Sequence, residues 1–443
     1  MQKVPYLNNI EMDEITIPVF SAFAGYDSQF LALRRFAKWF NKNSKGHFHL
    51  EFDLVGWCEI DKSAIKSHNA LFPEYKDRHY PDIKTVPWHK LRFALLIYSS
   101  CCQDITGNGN QIGFTEGSGT RSALLWYVLP AIRQCCPLCC ILENVPAILE
   151  NKFSNEFRKW QEAVDNEKQM MCQDGPEYVS NWTTLSAADF GVPQNRNRCF
   201  MISFRKDINK QCVFPKPFGL KRHAESILEK NVDERYYLPV METVKFIKQL
   251  CIDNKISEIN VSKDGMPYGN YVKRILTPTC KNSDYHICPT LLAGNGDYSR
   301  VSYKNFYTME YFPKPAILEV WRCSDSRLLS PYNLKTAHSS NDSVELPEGK
   351  RKKVIGISNG SKAEIIEAII NLKSNEYFRL RRLTPFECFS LMGVRKSDNK
   401  KLISSGVSEA QLYKQAGNSI VVDVIYNLYK STFFDIIEWC NQF

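Results

Sequence analysis

A chain of 443 residues, 44% hydrophobic and 24% charged, has the makeup of an ordinary globular protein with apolar side chains enough for a sizeable core, in one large domain or two. No run approaches the roughly 20 apolar residues that span a bilayer, and Met1 to Asp13 lacks the basic-then-apolar pattern of a secretory leader, so a cytoplasmic location without a membrane partner is expected. The 16 cysteines, scattered through so long a chain, read as reduced thiols rather than a disulfide framework, and a net charge of +9 tilts only weakly toward a polyanionic partner.

The first half alternates strand and helix signals. An apolar run Ile15 to Phe23 precedes an amphipathic stretch Ser28 to Phe40, and a second run Phe52 to Cys58 precedes Asp61 to Leu71. A strand is predicted at Phe93 to Tyr98, then a Gly/Asn-rich loop Gly107 to Gly119, a helix Ser122 to Cys135, a strand Cys139 to Leu142, a helix from about Ala147, and a short strand Cys199 to Phe204. Such alternation argues for a parallel sheet with crossover helices, an α/β doubly wound fold. From Phe214 to Tyr377 the pattern gives way to irregular Pro, Asn, Ser and Tyr, with turn signals at Gly294 to Gly296 and Ser358 to Gly360, which suggests a second, smaller module. The basic run Lys350 to Lys353 reads as a solvated loop. Regularity returns at Thr384 to Met392 and Val421 to Tyr429, so the C-terminus is expected to dock back on the first module.

Several segments could carry chemistry. VFSAFAGYDSQ, Val19 to Gln29, sets a turn of small residues between a strand and a helix, where backbone amides can approach a nucleotide-like cofactor. Glu59 and Asp61 follow the second strand, where an acid could grip ribose hydroxyls, although Asp61 could equally be a plain helix start. SSCCQD places Cys102 at the carboxyl end of a strand, where open sheets keep their sites; a thiolate there is a nucleophile, and a buried small hydrophobe is the bland alternative. LENV puts Glu143 at the end of a neighbouring strand, where desolvation could keep it protonated as a donor to a ring nitrogen. GVPQNRNR alternates Arg196 and Arg198 on one face of a short strand.

Taken in order, SAFAG, CCQD, ENV, QNRNR, LTPFECFSLMG and QAGNSIV resemble the motif series of the DNA cytosine-5 methyltransferases, over nearly the whole chain apart from a variable region. The resemblance implies a Rossmann-like S-adenosylmethionine-dependent methyltransferase domain from residues 1–212 plus 380–443, with a target-recognition domain inserted at 213–379. It implies Cys102 as covalent nucleophile, Glu143 at ring nitrogen 3, and Arg198 with Arg196 stabilising the intermediate. Cofactor contacts would come from Phe20, Phe23, Gly25, Glu59, Asp82, Ile83, Asn418 and Ser419, and DNA contacts from Gln103 and Gln194. The partner would be double-stranded DNA, met by a monomer that flips the target base. The setting would be the nucleoid of a prokaryotic or phage-infected cell, and any cognate restriction endonuclease would act separately. CPTLLAGNGDY, Cys288 to Tyr298, looks like the latter part of the recognition domain.

This chain departs from that pattern where Cys101 replaces the proline that normally precedes the nucleophile, and where Ala22 and Ala24 replace common glycines. Alanine suffices if the backbone angles there are ordinary. The clustered Cys135, Cys136, Cys139 and Cys140 are read as part of a helix end and a buried strand, not a metal site. The rival readings are a transfer-RNA cytosine-5 methyltransferase and a catalytically impaired DNA-binding relative.

Overall fold

The computed structural model describes residues 13–44, 48–106, 111–165, 177–220, 224–237 and 381–433, together with the backbone of strand segments between residues 260 and 380. The strands are β1 (Asp13–Ala22), β2 (Phe48–Cys58), β3 (His79–Tyr80), β4 (Leu95–Tyr98), β5 (Cys139–Asn144), β6 (Tyr178–Ser186), β7 (Gln194–Asn195), β8 (Asn197–Arg205), β9 (Asn260–Val261), β10 (Pro267–Tyr268), β11 (Cys288–Pro289), β12 (Ala316–Cys323), β13 (Gly349–Ile357) and β14 (Glu376–Arg382). The helices are α1 (Ser28–Asn43), α2 (Lys62–Leu71), α3 (Leu129–Cys135), α4 (Ser154–Asp165), α5 (Pro385–Leu391), α6 (Lys396–Ile403), α7 (Glu409–Asn418) and α8 (Val422–Thr432).

Seven strands form one sheet in the order β3-β2-β1-β4-β5-β8-β6. β3, β2, β1, β4 and β5 pair in parallel, and β8 runs antiparallel to both β5 and β6. Alternation along the central strands sorts side chains onto two faces. Leu95, Ile97, Cys139, Ile141, Phe200 and Ile202 join one core with α1 and α8. Leu96, Tyr98, Cys140, Leu142, Cys199 and Met201 join the other, against α3 and α4. Because both faces are covered, these strands read in the sequence as unbroken apolar runs. This is the expected doubly wound, Rossmann-like architecture.

α1 forms where Phe30, Leu33, Phe36, Ala37 and Phe40 recur at helical spacing on its buried side, and Asp27 caps it by accepting from the Phe30 amide. The helix expected at Ser122 to Cys135 is split: Ser122–Val128 is 3-10 and only Leu129–Cys135 is α, with Pro130 in the first α turn. A proline ring has no N–H to give the preceding turn, so it starts the α segment instead of continuing one. Pro146–Leu149 is likewise a 3-10 turn, and the helix expected from Ala147 begins only at Ser154.

Within the variable region, β12 pairs antiparallel with β13 and β14 in a separate three-stranded sheet. The expected boundary at 379/380 falls inside β14, and Lys350 to Lys353 belong to strand β13 rather than to a solvated loop. Ala224 is buried in the main core, with Phe214, Ile227 and Leu228 packed against it, so the start of the expected second module rests on the first. The turns at 294–296 and 358–360 lie outside the described residues, as does CPTLLAGNGDY beyond its first two residues. No helix among the described residues is long and apolar enough to cross a membrane.

Candidate active site

The chain leaves β1 through β2 and β3 on one side, then returns to the other side of β1 as β4. At such a reversal the loops leaving two adjacent strands diverge and open a crevice at their carboxyl ends. The turn after β1 uses left-handed angles at Phe23 (φ 56°), Gly25 (φ 60°) and Asp27 (φ 66°), and Ala22 and Ala24 are spared them. Hence alanine is tolerated at both departures. The strain falls on Phe23, at a cost of about 1–2 kcal/mol. An added Cβ at Gly25 would meet nothing within 4 Å, so this turn borders open space. Beneath it, Asp27 Oδ1 accepts from Ser21 Oγ at 3.0 Å and from the Phe30 amide at 3.2 Å.

Glu59 braces the turn from β2. Its Oε2 accepts the Gly25 amide at 2.9 Å, and its Oε1 accepts the Ile60 and Asp61 amides at 2.8 Å each. Asp61 is the cap of α2, accepting from Ser63 and Ala64, and it pairs with Lys414 at 2.7 Å. Burial works to raise its carboxyl, but Lys414 and the two amides hold it below the ordinary range. The two acids therefore divide, Glu59 facing the crevice and Asp61 building the helix. Asp82 caps the short turn Ile83–Thr85 with Ile83 buried beneath it. Phe20, expected at the cofactor, has its ring fully enclosed against Trp88, Phe93 and Tyr80. It lies on the strand face that the second core covers.

At the other lip, β4 ends and Cys102 stands half-buried beside Glu143, at the end of β5, and Arg198, on β8. Glu143 is 6% exposed; its Oε2 accepts from Ser99 Oγ at 2.7 Å and its Oε1 faces Arg198 Nε at 3.3 Å. One oxygen thus accepts from a neighbouring hydroxyl while the other lies in an ion pair with a guanidinium. Burial first, then the Glu143 charge, pushes the Cys102 thiol up, against the pull of Arg198 and Arg196. The resting group is a thiol that must lose its proton to react. Alkylation of Cys102 by iodoacetamide, followed by peptide mass spectrometry, is expected to be slow at pH 7 and to climb about tenfold per pH unit to beyond pH 9. A rate already flat at pH 7 would contradict this.

Arg196 reaches the thiol only through its charge, and its hydrogen bonds go elsewhere. It is 3% exposed, and its Nη2 donates to the Gly417 carbonyl at 3.0 Å and the Ser419 carbonyl at 2.8 Å, at the C-terminal end of α7, where a cation is favoured. Burial, then the like charge of Arg198, pushes its pKa down to about 9, which leaves it charged at neutral pH. Arg196 thus locks the C-terminal helices onto the site. The same lock includes Tyr26, whose hydroxyl donates to Ser419 Oγ at 2.9 Å, while Asn418 is exposed at the helix end. Gln194, expected at DNA, is fully buried, and its Nε2 donates to the Leu391 carbonyl at 2.7 Å. Adjacent β7, in which it lies, pairs in parallel with β11 at Cys288.

Gln103 is exposed and accepts from Arg121 at 3.0 Å across the neck of the loop that follows Cys102. That neck is closed by Asp104 and Ser122, each of whose side chains accepts from the other's amide, at 3.0 and 3.2 Å. Further out, Glu156 on α4 accepts from the Phe114 amide at 3.0 Å and from Thr115 Oγ1 at 2.5 Å. Glu156→Ala is expected to speed amide exchange at Phe114 at least tenfold while leaving β4 and β5 unchanged, since a local opening free energy falls by about 1.4 kcal/mol per decade. Unaltered exchange at Phe114 would refute the clamp.

Ser99, Tyr26, Arg121 and Glu156 were not singled out from sequence, and single polar residues with distant partners give no periodic signal. The four clustered cysteines are parted by the pleat: Cys139 faces one core and Cys140 the other. They cannot converge on one ion.

The sequence profile described as C-5 cytosine-specific DNA methylase matches residues 19–433. An orphan methyltransferase of Bacillus phage SPR is 27% identical, covering 86% of this chain and 91% of its own. A type II methyltransferase of Lactococcus lactis subsp. cremoris is 27% identical, covering 94% of this chain and 98% of its own. Among crystal structures, the Dnmt2 methyltransferase of S. pombe aligns with a TM-score of 0.50 at 17% identity, covering 95% of this chain and 99% of that one. Entamoeba histolytica methyltransferase EhMeth aligns at 0.51 and 16% identity, again over 95% and 99%. At such identities the structural likeness bears on the fold.

Proposed function

We propose, from the premise that this chain belongs to the C-5 cytosine-specific DNA methylase family, that it methylates carbon 5 of a cytosine everted from double-stranded DNA through a covalent adduct on Cys102. Membership makes it a DNA cytosine-5 methyltransferase that uses S-adenosylmethionine. The adduct and the base flipping are our reading. The observation that carries them is Cys102 at the end of β4 beside the Glu143–Arg198 pair.

S-adenosylmethionine brings a methyl group on a sulfonium, poised for transfer to a nucleophilic carbon. The crevice suits it: Glu59 offers a carboxylate for ribose hydroxyls, Gly25 leaves space at the turn, and Ile60, 73% exposed, offers an apolar surface beside Glu59. Phe23, Asp82, Ile83, Asn418 and Ser419 are proposed to complete the site, with Phe20 shaping its floor from within the core. For the base, the Cys102 thiolate forms a bond to carbon 6, the carbon 5–carbon 6 π electrons move onto the ring, and carbon 5 becomes nucleophilic. Glu143 in its acid form gives up a contact with Ser99 or Arg198 and donates its proton to ring nitrogen 3, where the electrons displaced by the sulfur collect, and Arg198 balances the carboxylate left behind. After methylation a solvent base takes the carbon 5 proton, the freed bonding pair re-forms the carbon 5–carbon 6 double bond and expels the Cys102 thiolate, and ring nitrogen 3 returns its proton to Glu143. Gln103 is proposed to fill the space the base vacates.

Residues 213–379 are proposed as the target-recognition module, with its first stretch serving as the joint to the catalytic core. One relative is named an orphan and another a type II methyltransferase, so a monomer acting alone or alongside a separate endonuclease is consistent with both. The test is methyl transfer to duplex DNA against transfer RNA, with sequencing of 5-methylcytosine in DNA from expressing cells. Labelled DNA and unlabelled transfer RNA are expected; the reverse, or neither, overturns the reading.

A further inference from the structure

The helices that follow β14, with Arg35 of α1 and the stretch Ser226 to Asn231, line an open cavity of about 1020 Å³, and none of its walls belongs to the site described above. Its size lies at the upper end of what holds a small-molecule ligand. Lys230, Arg395, Lys396 and Lys400 line it, and none has a carboxylate within ion-pair distance among the described residues. Of the two acids in the wall, Asp423 has a cationic partner and Glu229 a neutral one. Asp423 pairs with Arg35 at 2.8 Å, and Glu229 Oε2 accepts from Thr384 Oγ1 at 2.6 Å. Arg395 and Lys396 begin α6, whose first turn has no side-chain cap, so its amides add positive potential at the same end, offset in part by Asp398 in that turn. The floor is apolar, with Phe386, Val394 and Ile403.

Five cations against the two acids Glu229 and Asp423, with an open helix N-terminus above an apolar floor, match a ring carrying phosphates. We propose that this cavity is a second site, for a nucleoside phosphate, either free or as part of a nucleic-acid strand. It is independent of methyl transfer at Cys102. Four like charges held around one concavity repel one another, and an anion seated between them relieves that repulsion. Lys396 and Lys400, one helical turn apart on α6, sit on the same face and can address neighbouring phosphates.

The test uses the full chain with S-adenosylmethionine present, so that the cofactor crevice does not answer for the cavity. Guanosine triphosphate and inorganic pyrophosphate are titrated by calorimetry into the wild type and into a Lys396→Gln, Lys400→Gln double variant. Melting temperature and cofactor affinity are expected to match between the two; should the double variant melt early, Arg395→Gln takes its place. Triphosphate binding weakened at least tenfold in the variant supports a free nucleotide. If neither probe binds but the salt dependence of duplex-DNA affinity falls by about two units of slope in the variant, the phosphates are strand-borne. No probe binding together with an unchanged slope overturns the proposal. Methyl-transfer activity, read separately in both proteins, tells failure here from failure of the catalytic reading.

Discussion

Cys102→Ala is expected to reduce methyl transfer by at least about 10⁴-fold, because removing a covalent nucleophile abolishes the pathway instead of weakening one contact along it. Cys101→Ala is expected to retain activity within about tenfold, since its side chain serves only to lead into the nucleophile. Both thiols are pushed up by burial, so acidity alone does not choose between them. Surroundings do. Cys102 feels Glu143, Arg198 and Arg196, whereas Cys101 feels Asp104, Arg121 and Glu59, on the cofactor side. Duplex DNA carrying 5-fluorocytosine gives the sharper readout. Fluorine at carbon 5 cannot leave as a proton does, so the adduct persists and migrates as a protein–DNA band. Wild type and Cys101→Ala should form that band and Cys102→Ala should not. A band lost in Cys101→Ala and kept in Cys102→Ala would transfer the nucleophile to the neighbouring residue.

Glu387→Ala is expected to cost about 3–5 kcal/mol of stability, the range for stranding a buried charge. Arg381 and Glu387 are both fully buried and meet in a two-pronged pair, Nη1 to Oε2 at 2.8 Å and Nη2 to Oε1 at 2.9 Å. The same carboxylate accepts the Thr384 amide and the Glu229 amide, each at 2.8 Å, and the Thr384 hydroxyl accepts the Glu387 amide at 3.1 Å. One side chain thereby ties the end of β14, the cap of α5 and the joint at Glu229. Alanine would leave a guanidinium without its counter-charge and two amides without acceptors. Urea unfolding should show the loss as a lower midpoint. Glu387→Gln, which keeps the shape and some acceptor capacity but not the charge, should fall between. A loss under about 1 kcal/mol for alanine would mean the pair is replaceable by water, against the burial on which the estimate rests.

The sequence by itself determined the order of layers and the place of Cys102 after a central strand. Strands buried on both faces have to be apolar throughout, so Phe93 to Tyr98 and Cys139 to Leu142 announce themselves, and the residues that follow, Cys102 and Glu143, inherit a place at the sheet's carboxyl edge. Even the tolerance of Ala22 and Ala24 could be framed in advance as a question about backbone angle. β6 escaped notice because it is an outer strand that leaves Val179 and Trp182 half exposed, which breaks its apolar run. The division of labour among polar groups belonged to the tertiary structure alone. Arg196 and Arg198 are two residues apart and look equivalent on a strand, yet one is bound to Gly417 and Ser419 and the other faces Glu143. Gln194 reads as a surface group and is buried on the Leu391 carbonyl. A polar side chain takes the best donor or acceptor that folding brings within about 3 Å. Which one that is depends on segments hundreds of residues away, and that choice leaves no period, spacing or composition in the chain for a reader of the sequence to find.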